Sequence, residues 1–345
     1  MKDDIQHRLQ TYCANAFPGK RDLRVTGLNN ISSGWESDVY AFVLEHGRAG
    51  EREREDLVLR VYPGDDARVK SAREFRGMRW LHRAGYPVPE VLALENDDSP
   101  FGRPFVIMER IEGQLLWSLM FRGERQKELM TLFCKLLVGL HTLEWRPVVD
   151  DASRYASRYD TGDPYTFVDR VLDSGRSTLA RYPQSGFAPI LEWLEVRRDQ
   201  APCPRPSFVH LDFHPENVLL RDDGTAVVID WTQVDISDPR FDLAWTLLLV
   251  STYEDIKWRD VILDEYERLA GSRVEQIEYF DVYVCVKRLF SVMVSLSEGA
   301  ETMGMRPEAI AKMRQQMGAT QKVYDLLLER TGIAIPEVEK VLASV

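Results

Sequence analysis

Asp212, Asn217 and Asp230 stand in an otherwise apolar stretch, FVHLDFHPENVLLRDDGTAVVIDWTQVD, residues 208–235. The local pattern is a strand-like entry, a polar turn holding Pro215, a strand-like exit VLL, a second turn RDDGT, and a further strand AVVID. Asp212 and Asn217 therefore fall on one loop, and Asp230 ends the strand that follows, a placement that lets all three converge. Two carboxylates and a carboxamide are hard oxygen donors, suited to Mg²⁺ bound together with substrate phosphates. A second chemistry is open to the same residues. His210, Asp212 and His214 alternate, so imidazole and carboxylate on one strand face suggest a metal-dependent hydrolase. Against it, His7, His46, His82 and His141 have no metal-ligand spacing.

The elements that must position these residues follow from periodicity. A helix is expected around residues 4–16, then strands at LRVTGLNNI, DVYAFVLEHG and DLVLRVY, with GRAGEREREDL as a hairpin loop between the last two. RVKSAREFRGMRWLHRAG puts Val69, Ala72, Phe75, Met78 and Leu81 at helical spacing, and EVLALEN and RPFVIMERI read as further strands. From Gly113 onward the pattern is mostly helical. The expected architecture is α+β in two lobes. Residues 1–112 form an antiparallel sheet with one main helix, and residues 113–345 form a larger helical lobe.

Composition narrows the function. The chain of 345 residues has 44% hydrophobic content and a net charge of −11, which argues against nonspecific nucleic-acid binding. The charge is uneven: residues 1–112 carry 17 basic and 19 acidic side chains, the remainder 27 and 36. An acidic second lobe with interleaved aromatics suggests a cationic amine or amino sugar as ligand. Cys13, Cys134, Cys203 and Cys285 are far apart and form no CxxC pair, so neither a zinc knuckle nor a disulfide framework is expected. The N-terminal MKDDIQHRLQ has acids where a signal peptide would be apolar, and the strongest apolar run, WTLLLV, is too short to cross a bilayer. A cytoplasmic protein without membrane partners is the expectation.

HLDFHPEN followed by VVIDW resembles the catalytic and metal-binding loops of the aminoglycoside phosphotransferase and choline kinase family, which has the protein-kinase-like fold. The resemblance covers most of residues 20–250. It implies that Asp212 orients and deprotonates a substrate hydroxyl, that Asn217 and Asp230 hold Mg²⁺ on ATP or GTP, and that the acceptor is a small molecule. DPRFDLAW resembles the family's next helix, where Asp242 would brace the loop, with His210 as a structural member. LVLRVY and AREF offer Arg60 and Glu74 as the phosphate-gripping pair; Arg60 stands where the family pattern usually has Lys. SSGWESD would supply the phosphate-covering turn through Ser33 and Gly34, although it lacks GxGxxG. PFVIMERIEG resembles the hinge, where backbone atoms from Glu109 to Ile111 would pair with adenine. A nucleotide-binding scaffold without turnover is the remaining alternative, because Arg60 and the glycine turn depart from the family pattern.

Overall fold

A computed structural model describes residues 2–31, 37–48, 51–97, 99–149, 158–159, 162–182, 185–303, 305–306 and 309–343. The chain forms two compact units, one from residues 1–114 and 218–233, the other from 115–217 and 234–345. The division drawn at residue 112 therefore needs one correction. Residues 218–233 belong with the N-terminal unit, because hairpin partners and packing, not chain order, assign a segment to a core.

In the first unit, β1 (Arg24–Asn30), β2 (Asp38–Arg48), β3 (Glu51–Val61), β4 (Val91–Glu95) and β5 (Phe105–Glu109) form one sheet in the order β1-β2-β3-β5-β4. Every neighbouring pair is antiparallel. The charged run EREREDL is strand, not the hairpin loop its composition suggests: β2 and β3 stay in register from Asp38↔Val61 to Arg48↔Glu51. Opposite charges across the ladder explain this, with Glu45 facing Arg54 and lying 3.8 Å from Arg52. The period of two along β3 sends Leu57, Leu59 and Val61 into the core that Leu9 and Cys13 of α1 (Lys2–Ala16) complete. Arg60 consequently points to the opposite face.

Helix α2 (Ala67–Arg83) buries Ala67, Ser71, Glu74, Met78 and Leu81, while Val69 is 67% exposed. A stripe of strict three-residue steps turns by about 60° at each step, so it cannot stay on one face; alternating four and three keeps the face inward. That rotation places Glu74 inside. The hairpin of β8 (Val218–Leu220) and β9 (Ala226–Val228) belongs to the same unit.

The second unit follows β6 (Gln114–Leu115) with α3 (Leu116–Arg122), α4 (Gln126–Thr142), α5 (Thr166–Arg181) and α6 (Ala188–Val196). Strands β7 (Ser207–Val209) and β10 (Asp235–Ser237) pair antiparallel. Five helices complete it: α7 (Pro239–Tyr253), α8 (Lys257–Ala270), α9 (Ile277–Glu298), α10 (Ala309–Gln315) and α11 (Met317–Thr331), before a short α12 (Pro336–Leu342). Helix α7 is buried on nearly every side, as its run FDLAWTLLLVST requires. It starts where Asp238 accepts from the Arg240 N–H at 3.0 Å, with Pro239 in the first turn. Among the described residues no helix is long and apolar enough to cross a membrane. All four cysteines are buried and free, and burial pushes the Cys13 thiol up to about 12.

Candidate active site

Arg60, Glu74 and Asp230 meet within the first unit. The Arg60 guanidinium donates to Glu74 Oε1 at 3.2 Å, to Asp230 Oδ1 at 2.8 Å, and to Ser37 Oγ at 3.2 Å. Tyr62 donates its hydroxyl to the other Glu74 oxygen. Glu74 is 1% exposed, a burial tolerable for a carboxylate only with such partners. Burial opposes the Arg60 charge, yet Asp230 and Glu74 outweigh it and hold the guanidinium above its ordinary pKa. Burial, then Glu74, raises Tyr62 well above the usual phenol range. Asp230 sits at φ +66°, in the left-handed region that Asp tolerates better than most residues. Thr232 Oγ1 donates to its Oδ1 at 3.4 Å.

The loop carrying Asp212 is built within the second unit, by the face of α7 that presents Asp242, Trp245 and Thr246. Residues three and four apart on a helix share a face. Asp242, fully buried, accepts from the backbone N–H of His210 at 2.7 Å and of Leu211 at 2.9 Å. Its Oδ2 also lies 3.3 Å from His141 Nε2, whose ring contacts the Tyr266 hydroxyl at 2.9 Å through Nδ1. Trp245 Nε1 donates to Asp212 Oδ1 at 2.7 Å, and Thr246 Oγ1 to the Phe213 carbonyl at 2.6 Å. Leu211 is thereby held at φ +62°, a strained conformation immediately before Asp212. Burial works against the Asp212 charge. His214, then His210 and the Trp245 N–H, overcome it and keep the carboxyl well below the usual range. Asn217 Nδ2 donates to the Asp212 carbonyl at 2.9 Å and lies 3.1 Å from His214 Nε2, so the amide oxygen is what Asn217 can offer a metal.

The sequence-derived residues thus form two clusters, Arg60–Glu74–Asp230 in one unit and His210–Asp212–Asn217–Asp242 in the other. Ser33 and Gly34 lie outside the described residues. At the hinge, the N–H groups of Glu109 and Arg110 already donate to Glu90 and Asp56 carbonyls at 2.8 and 3.0 Å, and Arg221 pairs with the Glu109 side chain at 2.7 Å. Gly113 comes so close to the Leu220 carbonyl that a Cβ would stand 2.7 Å from it. The zinc-type alternative finds no support in the donor arrangement. His210 is fully buried with its ring edge-on to Phe213, and no group of three metal-ligating side chains assembles among the described residues. Sequence reasoning missed Tyr62, Ser37, His141, Trp245 and Thr246 as partners. The spacing of Asp242, Trp245 and Thr246 was the signal for the last two.

Comparisons with known proteins bear on the family and the fold. The sequence profile described as the phosphotransferase enzyme family matches residues 27–277. Acyl-CoA dehydrogenase family member 10 of Mus musculus is 28% identical over 240 residues, 66% of this chain and 21% of that protein. Member 11 of Gallus gallus is 23% identical over 256 residues, 70% of this chain and 31% of that protein. The chain therefore spans about a fifth to a third of the length of the curated relatives it matches. Among solved structures, a Ralstonia eutropha protein assigned to the aminoglycoside phosphotransferases superposes with a TM-score of 0.61 at 18% identity, covering 91% of this chain and 98% of that one. The phosphotransferase APH(2″)-IIa, in a ternary complex with streptomycin and ATP, gives 0.57 at 18% identity, covering 89% and 95%. These likenesses establish the fold as α+β of the kinase-like phosphotransferase type. With more than half its length matched by the family profile, this chain belongs to the phosphotransferase enzyme family.

Proposed function

We propose that the chain transfers the γ-phosphoryl group of ATP to a hydroxyl of a small molecule. The observation that carries this reading is the Asp212 carboxylate, held by the Trp245 indole N–H at 2.7 Å on a loop braced by Asp242. Its contribution is to accept a hydrogen bond from the acceptor hydroxyl and align the oxygen for in-line attack, which suits a loose phosphoryl-transfer transition state. Asn217 and Asp230 are the proposed Mg²⁺ ligands, the first through its amide oxygen and the second through the oxygen not taken by Arg60; both are hard donors fitting that ion. Bound Mg²⁺ would neutralise charge on the nucleotide phosphates. Arg60, fixed by Glu74, is the proposed grip on those phosphates, and the Glu109–Ile111 backbone the edge that meets the purine.

Two outcomes test this. Asp230→Ala is expected to abolish Mg²⁺-dependent ATP and GTP binding in calorimetry, and ADP release across a panel of hydroxylated small molecules should need Mg²⁺. Nucleotide binding without release for any acceptor would instead favour the scaffold without turnover. Arg60→Ala is expected to raise the Kd for Mg·ATP about tenfold and to lower unfolding free energy by about 3 kcal/mol, since it removes the cation that pairs with the buried Glu74 carboxylate. Arg60→Lys should recover part of both, because an ammonium restores charge but cannot bridge two carboxylates with one planar fork. Normal ATP affinity in Arg60→Ala would move the phosphate grip elsewhere.

A further inference from the structure

Two adjacent residues of α2 reach the segment around Asp230. Glu74 does so through Arg60, whose guanidinium donates to Glu74 Oε1 at 3.2 Å and to Asp230 Oδ1 at 2.8 Å. Arg73 does so directly. Its Nε–H donates to the backbone carbonyl of Thr232 at 2.9 Å, across 159 residues of chain and within one compact unit. Consecutive helical residues point about 100° apart, so one turn of α2 offers an acid toward β3 and a cation toward the stretch that follows β9.

What Arg73 meets is backbone held in a costly shape. Asp230 has φ +66°, a conformation that persists only where the surroundings over-determine it. Trp231, fully buried, donates its indole N–H to the Val228 carbonyl at 2.8 Å and stands edge-on to Tyr86, with ring centres 5.7 Å apart. The Val228 N–H in turn donates to the Pro87 carbonyl at 2.9 Å. Those contacts fix the strand end and the indole. The carbonyl beyond the indole is what Arg73 takes, on a residue that is 7% exposed and whose hydroxyl donates back to Asp230 Oδ1 at 3.4 Å. A hydrogen bond from a charged donor matches in size the cost of one residue held in a sparsely populated backbone region, so this bond is large enough to decide whether the turn persists.

We infer that Arg73 is a positioning residue for Asp230: by holding the Thr232 carbonyl it sets the turn that aims the Asp230 carboxylate at the metal. The inference rests on the reading of Asp230 as an Mg²⁺ ligand and adds a residue to that same site. One helix then governs both charges there. Glu74 places the cation and Arg73 places the anion, so a shift of α2 would withdraw the phosphate grip and the metal ligand together.

The test compares two side chains of one length. Counted from Cα, the amide nitrogen of glutamine and the methyl of methionine both fall where Arg73 carries Nε, so Arg73→Gln keeps a donor without the charge and Arg73→Met keeps the bulk without the donor. The Kd for ADP is measured by calorimetry on the full chain at saturating Mg²⁺ and again in EDTA, and hydrogen–deuterium exchange is followed by mass spectrometry in the peptide covering residues 226–233. Arg73→Met should raise the Kd at saturating Mg²⁺ about tenfold, leave the metal-free Kd within about twofold, and speed exchange in that peptide about tenfold. Arg73→Gln should stay within about twofold of wild type in all three. Should Arg73→Met not fold, Arg73→Lys, whose donor lies one bond farther out, takes its place and must fall below Arg73→Gln in Mg²⁺-dependent affinity. An unchanged Kd at saturating Mg²⁺ or unchanged exchange in Arg73→Met, an equal loss of metal-free binding, or a glutamine variant as impaired as the methionine one would each overturn the inference. Wild type separates the two readings. If Mg²⁺ strengthens ADP binding equally in wild type and Arg73→Met, the positioning role alone fails; if Mg²⁺ strengthens it in neither, the metal-ligand reading of Asp230 falls and takes that role with it.

Discussion

Asp212→Asn is expected to lower kcat by about 10³-fold while leaving the Kd for Mg·ATP within about twofold of wild type. The substitution is nearly isosteric, and the amide oxygen can still accept from Trp245 Nε1, which holds Oδ1 at 2.7 Å. What disappears is the negative charge that in the proposed mechanism would align the hydroxyl. The pH dependence has a definite sign. Burial disfavours the Asp212 charge, but His214, His210 and Trp245 more than compensate, so the folded-state pKa lies below the unfolded value of about 3.9. A depressed carboxylate contributes stability above the unfolded pKa and loses that contribution as pH falls through the folded one. Asp212 should therefore add no acid limb to kcat above about pH 5, and any limb seen there in wild type belongs to another group. Steady-state kinetics would exclude Asp212 from the mechanism if the variant kept more than about a tenth of wild-type turnover.

The second large effect is expected at Asp242. Its carboxylate is fully buried and accepts two backbone N–H groups, of His210 and Leu211, with His141 Nε2 3.3 Å from Oδ2. Asparagine would keep one acceptor oxygen and turn an NH₂ toward a group that itself donates. A buried donor left unmatched costs about 1–3 kcal/mol, and hydrogen bonds to a charged acceptor are worth about 1.5–3 kcal/mol. Asp242→Asn should consequently lose about 3 kcal/mol in urea unfolding. Because Leu211 is held at φ +62° by these bonds, kcat should also fall, by about 10²-fold, with little change in ATP affinity. Stability within about 0.5 kcal/mol of wild type would show that the loop is held by something other than Asp242.

The parts of the site legible in the sequence are those whose chemistry is local. HLDFHPEN places Asp212 and Asn217 five residues apart, and the amide of one indeed reaches the carbonyl of the other. Arg60 and Glu74 were readable as a cation and an acid on successive elements, and they pair at 3.2 Å. The face of α2 was misread, since steps of three drift around the helix while the buried set keeps Glu74 inward. The strand in EREREDL was hidden by charge, which signals a loop when cross-strand partners are unknown. The contact of Lys287 with the Leu211 carbonyl was unreadable, since it spans 76 residues and depends on which helix face meets the loop. The segment after residue 250 offered no motif.

The bracing of the loop by α7 has a consequence for partial chains. Asp242 reaches back 32 residues to the His210 N–H, and Trp245 reaches back 33 to Asp212. The loop therefore stores the letters of the proposed active site, while a distant helix stores their conformation. A fragment ending before Pro239 would carry the whole HLDFHPEN and VVIDW text, and would lack the carboxylate that keeps Leu211 in the left-handed region. During synthesis the motif emerges first, and these three hydrogen bonds cannot form until the helix has been made. Such closure over tens of residues is a late, cooperative event, so chemical competence arrives with tertiary folding and cannot precede it.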